Sequence, residues 1–242
     1  MTRRHFLPIA ALIALASCNG KKAYNTTDSS ASSAAEAQEP TKELIEKEIF
    51  VGSQFSYITN LSSIKIVYTQ GDYHISAIAD SITLSHLQLQ FDSNLLTVNL
   101  GHDNNRDYNI YGTTTDITLN VSSPRLDCVS TCGNGSFTSK GFLEADTIQL
   151  GVLGSGSINI DSIRCADIDI QSLNKGNISI KHLSANNANI LSRSSATITA
   201  DVSVKSLNIA NYNKQTIRIS GHAEKLYIRN PKDPNLDVSK MK

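Results

Sequence analysis

Ile148-Gln149-Leu150, Ile168-Asp169-Ile170, Ala188-Asn189-Ile190, Leu207-Asn208-Ile209 and Leu226-Tyr227-Ile228 are versions of one alternating triplet, with first residues 20, 20, 19 and 19 apart. Ten residues into each unit a second triplet follows: Ile158-Asn159-Ile160, Ile178-Ser179-Ile180, Ile198-Thr199-Ala200 and Ile217-Arg218-Ile219. A further apolar position comes next, as at Ile163 and Leu183. Leu126-Asp127-Cys128-Val129 reads as an earlier unit, 22 residues before Ile148. Alternation of period two identifies strands and not helices, and a fixed period near 20 is the mark of a solenoid.

These features predict an all-β fold: a single-stranded, right-handed parallel β-helix (β-solenoid) with coils of about 20 residues. Each coil would hold two or three short strands joined at Gly, Ser and Asn corners, and would stack on its neighbour at about 4.8 Å. Ile and Leu columns would fill the interior. No coil can bury its apolar face alone, so stability is shared between neighbours. Outward between the first-triplet apolar residues the register predicts Asp127, Gln149, Asp169, Asn189, Asn208 and Tyr227. After the second triplet it predicts Asp161, Lys181 and Asp201, a column alternating in sign. Such a column reads either as cross-strand ion pairs or as solvated edge residues.

Residues 48–122 are β-rich without a clean period. Ile64–Tyr68, Ile82-Thr83-Leu84, Leu87–Phe91, Leu95–Leu100 and Ile117–Val121 read as strands, with turn signals at Gln70-Gly71-Asp72 and Asp92-Ser93-Asn94. This half is expected to begin the same sheet system and cover one end of it. Pro231, Lys232, Asp233 and Pro234 are expected to stop pairing at the other end. Lys42–Lys47 reads as one helical turn.

The N-terminus is an export address. Arg3 and Arg4 precede an apolar run from Phe6 to Ala16, which is too short for a membrane span of about 20 residues and suits a signal peptide. Leu15-Ala16-Ser17-Cys18 resembles a bacterial lipobox, which implies cleavage before Cys18 and lipidation of that cysteine. The expected organisation is a signal peptide over 1–17, lipidated Cys18 and a flexible tether over 18–45, the solenoid over 46–230 and a tail over 231–242. The tether's Ser, Thr and Ala cannot bury enough surface to offset ordering entropy. The mature chain keeps Cys128, Cys132 and Cys165, an odd number, with no zinc-type spacing. Cys128 and Cys132, four apart, leave a small-loop disulfide open, and the expectation for all three is small buried packing residues.

Within the expected solenoid, Ile64–Gly71, Asn94-Leu95-Leu96-Thr97-Val98, Ser123-Pro124-Arg125-Leu126 and Gly154–Ile160 together resemble the family of putative auto-transporter adhesins, head GIN domain, common in Bacteroidetes. The likeness spans roughly residues 48–230. It implies a β-solenoid exported to the cell envelope and brings no catalytic residues with it. Ser192-Arg193-Ser194-Ser195 and Asn213-Lys214-Gln215 stand where the family pattern has Gly-Ser-Gly corners.

The chemistry of the chain is sparse. Its 242 residues carry 22 basic and 22 acidic side chains, which argues against a nucleic-acid partner. Gly151–Gly156 leads from one strand into another, so it reads as a corner and not a phosphate loop. His182 and His222 fall near one column but two coils apart, too far for a shared metal ligated at about 2 Å. Asp103, Asn105 and Asp107 echo the start of a calcium loop, but the glycine and closing glutamate are missing. They read as a polar surface loop. No cofactor or metal is expected. Asp80-Ser81-Ile82, Asp146-Thr147-Ile148 and Asp161-Ser162-Ile163 resemble the O-glycosylation sequon of Bacteroidetes.

A carbohydrate-active β-helix enzyme would need clustered carboxylates on one face, and here they are scattered. The reading is therefore a non-enzymatic envelope protein, periplasm-facing or surface-exposed, anchored to the membrane through its lipid. Its partner would be a glycan or a protein. Candidate ligand-binding surface lies at Asp103, Asn105, Asp107, Tyr212 and Tyr227. The alternatives are a lyase or hydrolase, and a purely structural spacer.

Overall fold

A computed structural model of the chain describes residues 43–101, 117–193, 195, 197–212 and 216–242. They form a β-solenoid of about five turns with parallel bridges about 20 residues apart. The coils are β9 (Ser136–Val152), β10 (Ser157–Ser172), β11 (Asn177–Ser192), β12 (Thr197–Asn211) and β13 (Thr216–Ile228). Each is one long bent strand and not two or three separate ones. In β10, Ile158, Ile160, Ile163, Cys165, Ile168, Ile170 and Ser172 point inward. Alternation breaks twice, at Asp161-Ser162 and at Ala166-Asp167, where two successive side chains face outward. Those breaks are the bends. The corner 173–176 supplies the third, so a coil has three sides.

The change of period from 20 to 19 is located at one bend. It holds Asp161-Ser162 in β10 and Lys181-His182 in β11, but only Asp201 in β12. Ile180 pairs with Ala200, and Leu183 with Val202. One outward residue is lost and the inward columns stay aligned. A buried Ile or Leu must meet the one above it, whereas an outward bend residue has no such obligation.

The corners are secured from inside. The last inward position of the third side carries Asn60, Thr131, Ser172, Ser192 and Asn211 on successive coils, with Val152 between Thr131 and Ser172. Asn60 Nδ2 donates to the Ile64 carbonyl at 2.7 Å, and Ser172 Oγ to the Gly176 carbonyl at 3.3 Å. Both bonds span the corner, and the Ile64 carbonyl also accepts the Ser136 amide at 3.1 Å. Successive corners also approach closely: a side chain at Gly156 would collide with the Gly135 carbonyl oxygen.

The N-terminal half is stacked out of sequence order. β2 (Tyr57–Asn60) and β3 (Lys65–Gln70) form a coil below β8 (Cys128–Thr131) and β9. Their other edges pair in parallel with β6 (Leu95–Leu100) and β7 (Thr118–Ser123), which come later in the chain. β5 (Leu87–Asp92) then pairs antiparallel with β6, while β4 (His74–Ala79) and β1 (Ile45–Glu48) extend the other side antiparallel. In the core below β9, the Tyr68 ring stacks on Phe137 at 5.7 Å, and its hydroxyl donates to the Ser123 carbonyl at 2.9 Å.

Several sequence expectations are corrected. Ile82-Thr83-Leu84 is not a strand but part of helix α1 (Ser81–Ser85), because Asp80 Oδ1 accepts from the Ile82 and Thr83 amides and caps it. The helical turn read at Lys42–Lys47 is replaced from Ile45 by the exposed strand β1, drawn out by pairing with β4. Cys128, not Asp127, stands below Gln149, since the Asp127 carboxylate is occupied by Ser56 at 2.6 Å and Arg125 at 2.5 Å. Pro231 and Pro234 do not stop pairing: the chain turns at 231–235 and adds β14 (Leu236–Met241), parallel to β13. His182 pairs with Ser162 and His222 with Ser203, so the two histidines occupy different columns. All three described cysteines are free thiols. Cys165 is buried, whereas Cys128 and Cys132 are half-buried.

Candidate ligand-binding face

The third side of the coils presents outward columns set by the register. Asp169, Asn189, Asn208 and Tyr227 form one. Parallel in-register stacking places each amide one coil above the previous acceptor. Asn189 Nδ2 donates to Asp169 Oδ1 at 2.9 Å, and Asn208 Nδ2 to Asn189 Oδ1 at 2.9 Å. The ladder runs from a carboxylate through two amides to an aromatic ring. Beside it, Asn187 Nδ2 donates to Asp167 Oδ1 at 2.7 Å. On its other flank stand Gln171, Leu191 and Ala210, followed one coil later by Arg229, whose amide donates to the Ile209 carbonyl at 3.0 Å.

Between the two columns lies an open groove of about 620 Å³, lined by Asn189, Leu191, Asn208, Ala210, Tyr227 and Arg229 among others. Amides, an apolar floor and an exposed aromatic edge are the donors, acceptors and stacking surface that a sugar ring uses. At the end of this side, Tyr212 is 44% exposed, and Tyr227 is 56% exposed. Two guanidinium groups lie close to the Tyr212 ring, with Arg193 Cζ 5.4 Å and Arg229 Cζ 4.9 Å from its centroid. Arg229 Nη1 also donates to the Tyr212 hydroxyl.

Of the five surface residues expected from sequence, Tyr212 and Tyr227 share the third side on adjacent coils, linked by Arg229. Asp103, Asn105 and Asp107 lie outside the described residues, as does Cys18. Arg193 and Arg229 were not singled out by sequence. Arg193 is 19 residues before Tyr212, one coil, and that spacing is the signal that could have found it. Arg229 stands 17 residues after Tyr212 and is in no column with it, so only its side-chain reach makes the contact.

Some of the other charged groups form local pairs. Lys181 Nζ donates to Asp161 Oδ1 at 2.6 Å, and this bond holds the carboxyl below its ordinary range. Asp201 does not continue the alternation through Lys181; it faces His182 at 3.6 Å and accepts from Ser220 Oγ at 2.8 Å. A second hollow of about 500 Å³ is lined by Arg125, Glu144, Asp146, Arg164 and Cys165 among others. Its rim is tied by Gln70, whose amide donates to the Pro124 and Glu144 carbonyls and whose carbonyl accepts the Glu144 amide. Among the described residues no three His, Cys, Asp or Glu side chains converge on a metal-sized site. Of the sequon-like triplets, Ser81 is exposed at the start of α1, whereas Thr147 and Ser162 are half-buried in strands.

A family model described as "Putative auto-transporter adhesin, head GIN domain" matches residues 54–181. Solved structures match the fold. A putative adhesin from Bacteroides fragilis superimposes with a TM-score of 0.60 at 19% identity, covering 78% of this chain and 94% of the other. A putative adhesin from Parabacteroides distasonis gives 0.52 at 16% identity, covering 78% and 95%. A structure titled putative lipid binding protein, from the same species, gives 0.51 at 16% identity, covering 78% and 94%. A search among curated proteins finds no match. The family match stops at residue 181, before the first groove residue, Asn189.

Proposed function

From the premise that this chain belongs to the family of putative auto-transporter adhesins, head GIN domain, we propose that it is a lipid-anchored, non-enzymatic adhesin of the cell envelope. It binds glycans through the outward face of the third side. The observation that carries this reading is the Asp169–Asn189–Asn208 amide ladder ending in exposed Tyr227 beside an open groove. Ladder amides are pre-oriented, so a sugar hydroxyl meets donors and acceptors that need no further ordering. The ring of Tyr227 offers its face to the C–H side of a pyranose.

A binding role also fits the carboxylates. A glycosidase acid must hold its proton near neutral pH, so its pKa is raised. Asp161 is shifted the opposite way by Lys181. Anchoring rests on the lipobox at Cys18, and the tether would let the solenoid stand off the membrane.

The test is a glycan array probed with the full chain, with the bound sugars recovered and analysed for cleavage. Capture of a defined set of glycans, returned intact and lost with Tyr227→Ala, is expected. Cleaved products that disappear on mutating Asp161 or Asp201 would overturn the non-enzymatic reading. In cells producing the full chain, Cys18→Ser should move the protein from the membrane to the soluble envelope fraction; retention in the membrane would refute lipid anchoring.

A further inference from the structure

Arg193, Tyr212 and Arg229 come from three successive coils, with both guanidinium carbons within 5.4 Å of one ring centroid. Stacked coils repeat at about 4.8 Å, so the order Arg–Tyr–Arg along the axis follows from the solenoid itself. Both guanidiniums therefore bring positive charge to one ring, which neutralises neither. Among the described residues neither guanidinium is paired with a carboxylate. The nearby carboxylate of Asp233 is committed elsewhere, to Asn211 at 2.6 Å and to the Asn235 amide at 2.9 Å.

A guanidinium presents its N–H groups in a planar fork that matches a carboxylate or sulfate in two-point fashion. Arg229 also lines the groove that carries Tyr227 and the amide ladder. The site therefore joins the amide and tyrosine platform to a pair of guanidiniums that no carboxylate of the described residues pairs. Resting on the glycan-binding reading above, we infer that Arg193 and Arg229 form an oxyanion subsite at one end of the groove. It selects saccharides bearing a carboxylate or sulfate group over neutral ones. Tyr212 is a positioning residue: both guanidiniums lie close to its ring, and its hydroxyl accepts from Arg229.

The test compares three probes by calorimetry on the full chain: an oligogalacturonate, its neutral methyl ester, and a sulfated oligosaccharide of equal length. At least one oxyanion probe should bind about tenfold or more tighter than the ester. That preference should shrink as salt is raised from about 50 to about 500 mM. Arg193→Gln, which lies outside the groove lining, should cost most of the preference and leave binding of the ester unchanged; Arg229→Gln should likewise cost most of the preference, while Arg→Lys at either position should keep part of it. Both arginines are exposed, so thermal unfolding should be unaltered.

The carboxylate and sulfate arms tell which oxyanion is preferred. Equal binding of all three probes, dependent on Tyr227, would refute the oxyanion subsite and leave the glycan reading standing. Oxyanion binding that survives both Arg→Gln changes would refute this assignment of residues. Binding of none would refute the subsite, while capture of other glycans on the array would still uphold the broader reading.

Discussion

Gly221 sits directly above Val202, and a side chain there would collide with the Val202 carbonyl oxygen. Its φ of 103° is a conformation that L-residues avoid. β13 thus passes the bend where β12 lost its outward residue by using glycine at a position that is an inward valine one coil earlier. Gly221→Ala should destabilise the solenoid by about 2–4 kcal/mol through strain and collision. Gly71→Ala meets nothing within 4 Å and should change stability by less than about 0.5 kcal/mol. Urea unfolding of the two variants checks the difference; equal effects would contradict it.

Ile170 is fully buried between Leu150 and Ile190, whereas Asp169 faces outward from the same strand. Ile170→Ala should cost about 2–5 kcal/mol. Asp169→Ala should cost well under 1 kcal/mol, roughly as a solvated ladder end does. Similar losses at both sites would mean that the register is displaced by one residue.

Burial pushes the Cys165 thiol up from 9.0 to about 12, with Asp167 adding to the shift. Burial likewise pushes the Tyr68 hydroxyl from 10.0 to about 12, against its bonds to Ser123. Both acids hold their protons more tightly in the folded chain. The unfolded chain therefore releases protons first, so this stability is intact below 9.0 and falls as pH climbs toward about 12. The urea midpoint should drop between about pH 9 and pH 11, and more gently in Tyr68→Phe than in the parent chain. Parallel slopes would contradict the buried phenol. In the folded protein at pH 8, a thiolate-specific reagent should leave Cys165 unmodified.

Asp161 behaves in the opposite sense. Lys181 lowers its pKa, so any contribution to stability is present above the ordinary carboxylate range and disappears as pH falls through the lowered value. Carbon-detected NMR titration should show the Asp161 midpoint rising in Lys181→Met. An unchanged midpoint would mean that the ion pair exerts no hold in solution.

The repeat was legible because inward columns obey strict chemistry: Leu150, Ile170, Ile190 and Ile209 must be apolar and must align. The sandwiching of β2–β3 between β6–β7 and β8–β9 was not, since it pairs segments far apart in sequence with no shared period. Ile82 misled because its short β-branched run was read without Asp80, whose carboxylate caps the helix. The one-residue slip at Asp127 has the same origin, a polar side chain with a local commitment to Ser56 and Arg125. For the candidate face, the aromatic positions on the last coils were visible. The arginines were not, because Arg193 was read only as part of a corner, and Arg229 joins it by reach and not by register.

The central claim is that the third side of the last coils is the binding face, and comparing two sides of one coil tests it most directly. Tyr227 faces outward on the third side of β13 and Arg218 outward on its first side, both exposed. Glycan capture by the full chain should fall at least about tenfold in Tyr227→Ala and stay at the parent level in Arg218→Ala. Full capture by Tyr227→Ala, or a loss confined to Arg218→Ala, would contradict the account.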